Sequence, residues 1–324
     1  MDMTSITRHL GDAWEKTASL MRSALGTDIG LLRATNEALL SHGGKQLRPM
    51  LCLLMARACG GGRTTEESVC YAAASEILHN ATLIHDDVAD KSDRRRGYPT
   101  AASILGPSAA VLLGDFWLAR AVQTIMAGGI REEALKMFSK TLSDLAEGEM
   151  LQLEKAELAD TTEEDYYRIV YCKTASLFEA ACTTGAMSVD APERYLEAAR
   201  RYAVALGIAF QIKDDILDYA GKEEVGKPLG ADLREQKITL PLLGALRSGP
   251  APEKIRDMVR TLPQKPENLE KIRAFVFGSG GVEYAYSCLE KHVDKALDAL
   301  ECLPPSEDRD MLSEIAVYNS SRTK

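Results

Sequence analysis

The chain has 324 residues, 45% hydrophobic and 27% charged, with 24 Gly and 12 Pro. That is ordinary globular composition with room for a sizeable core, and it excludes disordered, collagen-like and low-complexity readings. A formal net charge of -9, from 39 Lys+Arg against 48 Asp+Glu, argues against a general nucleic-acid partner.

The N-terminal stretch MDMTSITRHLGDAWEK lacks the apolar core and small-residue cleavage pattern of a signal peptide. Helical periodicity then dominates. Ala/Leu/Met/Glu-rich runs over 12–40, 47–60, 66–90, 101–127, 131–158, 163–190, 192–221, 236–248, 252–262, 267–275, 280–302 and 308–317 predict helices. Breakers stand at Gly43-Gly44, Gly60-Gly61-Gly62, Gly128-Gly129, Gly249-Pro250 and Pro304-Pro305. Alternating β-branched runs are nearly absent and no linker divides the chain. The expectation is one all-α domain, 1–324, of about a dozen helices, larger than a four-helix bundle. The most apolar run, Ala109 to Ala127, carries Asp115 and Arg120 and is expected to be a buried helix rather than a membrane span. The 7 cysteines are scattered, odd in number and never spaced C-x-x-C, which fits reduced thiols in a soluble cytoplasmic protein.

One pattern repeats. Ile84-His85-Asp86-Asp87-Val88-Ala89-Asp90 is echoed by Ile212-Lys213-Asp214-Asp215-Ile216-Leu217-Asp218. At an aspartate frequency of roughly 6%, chance supplies about 0.07 D-D-x-x-D motifs in such a chain, and two about 0.002 of the time. On a helix the three aspartates fall within roughly 100° of arc, so like charges share one face beside Leu and Ile. Apolar surroundings raise such pKa values unless cations compensate. A single copy would most often be a solvated acidic face; two copies, each closing an apolar run, weaken that reading. Carboxylate oxygens suit Mg2+, which keeps several waters and completes its shell with phosphate oxygens, and no His/Cys set has zinc spacing. The expectation is two Asp-rich walls holding magnesium ions that bridge to a phosphorylated substrate.

Basic residues cluster in other motifs. Gly43-Gly44-Lys45-Gln46-Leu47-Arg48-Pro49 opens a predicted helix, where free N–H groups and two cations favour an anion. Arg94-Arg95-Arg96-Gly97 follows the first cluster, Lys173-Thr174 starts an apolar helical stretch, and Lys227 and Lys237 follow the second cluster. Each alone reads as an ordinary helix-end cation; together, in a net-acidic chain, they point to diphosphate binding.

The segments GGKQLRP, LIHDDVADKSDRRRGYPT, KTASLFEAAC, FQIKDDILDYAGKEEVGKPLGADLREQKITLPLL and IAVYNSSR together resemble a trans-isoprenyl (polyprenyl) diphosphate synthase. The match runs in order from about residue 40 to the end of the sequence. The resemblance implies a helical bundle around a deep central cavity, and a homodimer. It implies joining of an allylic diphosphate, farnesyl or geranylgeranyl, to successive isopentenyl diphosphates with Mg2+. It implies metal sites at Asp86, Asp87, Asp90, Asp214, Asp215 and Asp218, with Asp86, Asp90 and Asp214 the direct ligands. Lys45, Arg48, His79 and Arg96 match positions that hold isopentenyl diphosphate. Arg95, Lys173, Thr174, Gln211, Lys227 and Lys237 match positions that hold or face the allylic diphosphate, with Lys173 and Lys227 counted among the catalytic groups. His79 would otherwise read as a structural histidine, and His85 has no matched role.

Two departures stand out. Gln236-Lys237 replaces a frequent Gly-Lys, which predicts a local backbone change without loss of function, and Gln46 replaces a frequent basic residue. For product length, only two residues separate Asp86-Asp87 from Asp90, as in long-chain synthases. The position five before the first Asp is the small Ala81 rather than an aromatic. Ala74, Leu78 and Ala81 share a helical stripe, beside the aspartate face on an ideal wheel, and the family rule makes it a deep tunnel. Phe116, Trp117, Val122, Ile125 and Met126 are candidates for a lower floor, or for ordinary helix packing. The resulting expectation is a long product of about C30–C40, used as a quinone side chain, with the metal neutralising the leaving diphosphate. The alternatives are a short-chain farnesyl or geranylgeranyl diphosphate synthase, a terpene cyclase, and a non-catalytic subunit of a heteromeric synthase. The complete second D-D-x-x-D and GGKQLRP argue against the last two.

Overall fold

The computed structural model describes residues 3–41, 44–95, 97–221 and 229–322. In chain order the helices are α1 (Met3–Ala24), α2 (Gly30–Ser41), α3 (Leu47–Gly60), α4 (Glu66–Ala89), α5 (Ala101–Leu105), α6 (Pro107–Ala127), α7 (Glu132–Leu158) and α8 (Glu163–Val170). A π turn (Tyr171–Ala175) follows, then α9 (Ser176–Met187), α10 (Glu193–Ala220), α11 (Ala231–Arg234), α12 (Leu240–Ser248), α13 (Pro252–Arg260), α14 (Asn268–Gly278), α15 (Gly281–Leu300) and α16 (Glu307–Ser321). The strands among the described residues are β1 (Arg94–Arg95) and β2 (Tyr98–Pro99), an antiparallel pair with Arg94 opposite Pro99 and Arg95 opposite Tyr98. The all-α expectation holds. The pieces outnumber the expected dozen because several runs divide: Pro107 opens α6 at the position where proline is tolerated, and the π turn interrupts 163–190.

The chain forms two compact units. The first comprises Met1–Lys140, Leu177–Arg200 and Leu300–Glu314. Its α3 is apolar nearly all round, with Leu51 to Ala56 fully buried, as a helix at the centre of a core must be. A reciprocal capping box starts α4: the Thr65 hydroxyl accepts from Ser68 N–H, and the Ser68 hydroxyl accepts from Thr65 N–H. From there α4 runs to its C-cap at Asp90, packing extensively on α6. The indole of Trp117 donates to Asn36 Oδ1 at 2.8 Å, and Asn36 donates to the Leu25 carbonyl at 2.8 Å, so this buried polar link is satisfied.

The expectation for α6 needs correction. It buries a stripe of Ala110, Leu113, Trp117, Ala121 and Ile125, while Val111, Leu112 and Met126 face outward, Leu112 at 70% exposure. It is the one helix among the described residues long and apolar enough to cross a membrane. All 7 cysteines are free thiols.

The second unit comprises Thr141–Ser176, Arg201–Ala299 and Ile315–Lys324. Ile212, Ile216 and Tyr219 of α10 are buried in its core with Tyr166 and Val170 of α8, Leu240 and Leu242 of α12, and Ile272 and Val276 of α14. The i, i+4 and i+7 spacing of the α10 residues is the apolar stripe that fixes which face carries the second aspartate cluster.

Candidate functional site

In the first unit, the last turn of α4 carries the first cluster. Asp86 is half-buried, Asp87 is buried and Asp90 is exposed. Asp87 takes a charge-assisted hydrogen bond from Arg95 Nε at 2.8 Å, so β1 is tied to the cluster by a side chain expected to face the allylic diphosphate. Asp90 N–H closes the helix on the Asp86 carbonyl at 2.8 Å. Arg96 lies outside the described residues.

On α3 the helix begins after Gln46, which sits at φ 49° and offers no side-chain cap to the first-turn amides. Lys45 is exposed just before it, and Arg48 lies on the first turn with its guanidinium 4.7 Å from the Phe178 ring. Gly43 lies outside the described residues. His79 is half-buried on α4, the helix against which α3 packs. Leu78 and Ala81 are completely buried. A small crevice in this unit is bordered by the adjacent α4 residues Glu76, Ile77 and Asn80 together with Trp117, and neither Leu78 nor Ala81 lines it.

In the second unit, α10 presents Asp214, Asp215 and Asp218 in three different environments. Asp215 is buried; Tyr166 Oη donates to one of its oxygens at 2.5 Å and Gln211 Nε2 to the other at 2.9 Å. Burial, and next the charge of Asp232, push the Asp215 carboxyl well above the usual range, against the pull of those two donors. Asp218 accepts from the backbone N–H groups of Ala231 at 3.0 Å and Asp232 at 3.3 Å, at the start of α11. Asp214 is half-buried and pairs with Arg322 at 2.6 Å.

Three of the expected diphosphate residues meet here. Lys173 and Thr174 sit in the π turn, a rare element that is frequent at functional sites. Thr174 Oγ1 donates to Gln211 Oε1 at 2.9 Å, and Gln211 in turn donates to Asp215, so one chain of hydrogen bonds joins the turn to the second cluster. Lys173 pairs with Glu149 of α7. Close packing requires glycine at both neighbours of the turn. A Cβ on Gly207 of α10 would lie 2.6 Å from Ala175 Cα, and one on Gly148 of α7 would lie 2.6 Å from Cys172 Cβ.

Lys237 is joined to Glu235 at 2.5 Å. Gln236 lies at φ 58°, where glycine is most at ease, and its amide donates to the Arg260 carbonyl at 2.9 Å. Lys227 lies outside the described residues. Glu149 and Tyr166 stand in no segment that the sequence marks, and Arg322 closes the segment IAVYNSSR with no role assigned to it; each acts through a partner distant in the chain. Among the described residues no three His, Cys, Asp or Glu side chains close on one point to cage an ion by themselves.

The family model for Polyprenyl synthetase matches residues 30–276. The chain is 39% identical over 296 residues to the octaprenyl diphosphate synthase of Escherichia coli (strain K12), covering 90% of each. It is 39% identical over 295 residues to the all-trans-nonaprenyl-diphosphate synthase (geranyl-diphosphate specific) of Rhodobacter capsulatus, covering 90% of this chain and 89% of that one. The structure resembles the crystal structure of polyprenyl synthase from Caulobacter crescentus CB15 complexed with calcium and isoprenyl diphosphate. The TM-score is 0.92 at 35% identity, with 100% of this chain and 98% of that chain covered.

Proposed function

The chain belongs to the polyprenyl synthetase family and is a trans-prenyltransferase, and from that premise we propose which substrates it joins and which residues act. It condenses an allylic diphosphate, farnesyl or geranylgeranyl, with successive isopentenyl diphosphates into a long all-trans product of about C30–C40, with magnesium as the metal. The hydrogen-bonded sequence Thr174–Gln211–Asp215, beside Lys173 in the π turn, carries the reading. It joins groups expected to grip a diphosphate to groups expected to serve a metal.

The donor chemistry fits a hard divalent cation. Asp86, Asp90 and Asp214 offer carboxylate oxygens at half-buried or exposed positions, and magnesium needs only one or two such ligands beside phosphate oxygens and water. Asp87, Asp215 and Asp218 are held by Arg95, by Tyr166 with Gln211, and by two backbone amides, and their part is to fix the clusters in shape. When bound, magnesium neutralises charge developing on the leaving diphosphate.

The chain's own residues do the rest. Lys173, Thr174, Gln211, Arg95, Lys227 and Lys237 hold the allylic diphosphate as its C–O bond breaks. Lys45, Arg48, His79 and Arg96 hold isopentenyl diphosphate, whose double bond attacks the allylic cation to form the new C–C bond. The proton lost in restoring the double bond goes to the departing diphosphate, so no protein nucleophile is required. Water must be kept from the cation, and that is the task of the apolar helix faces. Leu78 and Ala81 set product length. The protein acts as one 1–324 domain in the cytoplasm and as a homodimer. The outward apolar residues of α6 support the dimer, and the family match spanning segments of both units supports the single domain.

The test is incubation of purified protein with farnesyl and isopentenyl diphosphates and Mg2+, followed by sizing of the products. Chains of about C30–C40 are expected, with Asp86→Ala and Asp214→Ala each abolishing turnover while far-UV circular dichroism stays helical. Absence of condensation, with or without a partner extract, overturns the proposal; light scattering at the mass of one chain overturns the dimer.

A further inference from the structure

Beyond the two aspartate clusters, the second unit holds a pair of buried cations to which the sequence motifs assign no role. Lys213 and Arg322 fasten the last turn of α16 to α10 at the second cluster. Lys213, 4% exposed, donates from Nζ to the Ser320 carbonyl at 2.9 Å, and its ammonium lies 5.1 Å from the Tyr286 ring. Ser320 belongs to the last turn of α16, where carbonyls run out of intrahelical N–H partners. Arg322, with its side chain 6% exposed, spreads its fork over three acceptors. Nε donates to Asn319 Oδ1 at 2.9 Å, while Nη2 donates to the Phe210 carbonyl at 3.0 Å and to Asp214 Oδ1 at 2.6 Å. The guanidinium carbon stands 4.3 Å over the Phe210 ring.

Most of these contacts do not involve Asp214. The carbonyl, the Asn319 amide and the aromatic face fix the guanidinium by themselves, so it is a rigid post rather than a mobile counter-charge. A carboxylate has about four lone-pair sites on two oxygens, so a contact from arginine to one oxygen sets its rotamer and is compatible with metal binding. Metal-binding carboxylates are characteristically held in this way by a second layer of donors.

We propose that Arg322 is a positioning residue for Asp214, orienting its carboxylate toward a divalent cation, with Lys213 and Asn319 fixing the turn that carries it. The inference rests on the reading above that Asp214 is a metal ligand. Two effects of the arginine oppose each other. Orientation strengthens metal binding, whereas a positive charge beside a cation weakens it. The rigid mounting makes orientation the larger effect.

The test is a titration of Mn2+ into the full chain with inorganic diphosphate present, following free Mn2+ by electron paramagnetic resonance. Arg322→Ala is expected to weaken Mn2+ binding about 10- to 100-fold, the usual consequence of losing such a partner. Arg322→Lys, which keeps the charge but not the fork, recovers only part of that loss. Asn319→Ala leaves the arginine in place, loosens its mounting, and gives a smaller weakening in the same direction. Asp214→Asn weakens binding at least as much as Arg322→Ala, and combining the two adds nothing further. Unchanged or tighter binding in Arg322→Ala, while Asp214→Asn weakens it, overturns the positioning role alone. Unchanged binding in Asp214→Asn overturns both this inference and the assignment of Asp214. Circular dichroism and Tm establish that each variant is folded. If Arg322→Ala does not fold, the lysine and Asn319→Ala variants decide, and wild-type affinity in both overturns the proposal.

Discussion

Gln211 is the residue on which the second unit's site turns. It accepts from Thr174 and donates to Asp215, so one amide serves the π turn and the aspartate cluster at once. Replacing it with Leu removes both bonds and leaves buried Asp215 with Tyr166 as a remaining donor. The expected cost is about 1–3 kcal/mol of stability, since a buried acceptor loses a partner. Steady-state kinetics with each substrate varied in turn should show KM for the allylic diphosphate rising more than KM for isopentenyl diphosphate. Equal changes in both would mean that the amide only supports the fold.

At the scale of elements, the π turn and α4 carry the consequences. An extra residue per turn over Tyr171–Ala175 re-aims Lys173 and Thr174 relative to a straight helix, and Gly207 lets α10 lie close against it. In Gly207→Ala the new Cβ meets backbone, which cannot swing aside, so the turn itself must move. A loss of about 1–3 kcal/mol in chemical denaturation and a fall in turnover beyond what that loss explains are expected. Along α4, Ala81→Phe should shorten the products measured by chromatography, and unchanged lengths refute the tunnel assignment. Ala81 is fully buried, so the same variant is expected to lose about 1–3 kcal/mol by overpacking, a readout that reports the burial independently.

For the whole molecule, net charge misleads where local charge decides. A total of -9 excludes one kind of polyanion as a partner, yet Lys and Arg side chains beside the aspartate clusters are what a diphosphate needs. Stability should also depend on acid through a group with no part in the proposed chemistry, His292, whose ring packs on Tyr167. Burial, with Lys295 adding to it, pushes His292 down to about 4. The folded chain then takes up this proton less readily than the unfolded one, so stability is fully present above about pH 6.5 and declines as the pH falls toward 4. The slope stays below about 1.4 kcal/mol per pH unit, because part of the side chain reaches solvent. In thermal melts between pH 7.5 and 4.5 the wild type should lose more stability on acidification than His292→Leu; parallel curves would exclude His292 as the source.

Helical class, the two D-D-x-x-D clusters and the family were legible in the sequence because all three are local patterns. An apolar stripe repeats within a few residues, and a motif lies within a single turn or two of helix. The same locality sets the limit: the run Ala109 to Ala127 reads as a buried helix rather than a membrane span, but composition does not say which faces find a neighbour, and Val111 and Leu112 face outward. Equally invisible was the division of labour inside each cluster, where Asp87 goes to Arg95, Asp215 to Tyr166 and Gln211, and Asp218 to backbone amides. The partners of Glu149 and Arg322 were hidden for the same reason. Tyr166 meets Asp215 across 49 positions of chain and Arg322 meets Asp214 across 108, so no helical wheel can pair them. A wheel assigns a side chain to a face; only the packing of helices decides what that face meets, and hydrogen bonds, being short and directional, are settled last.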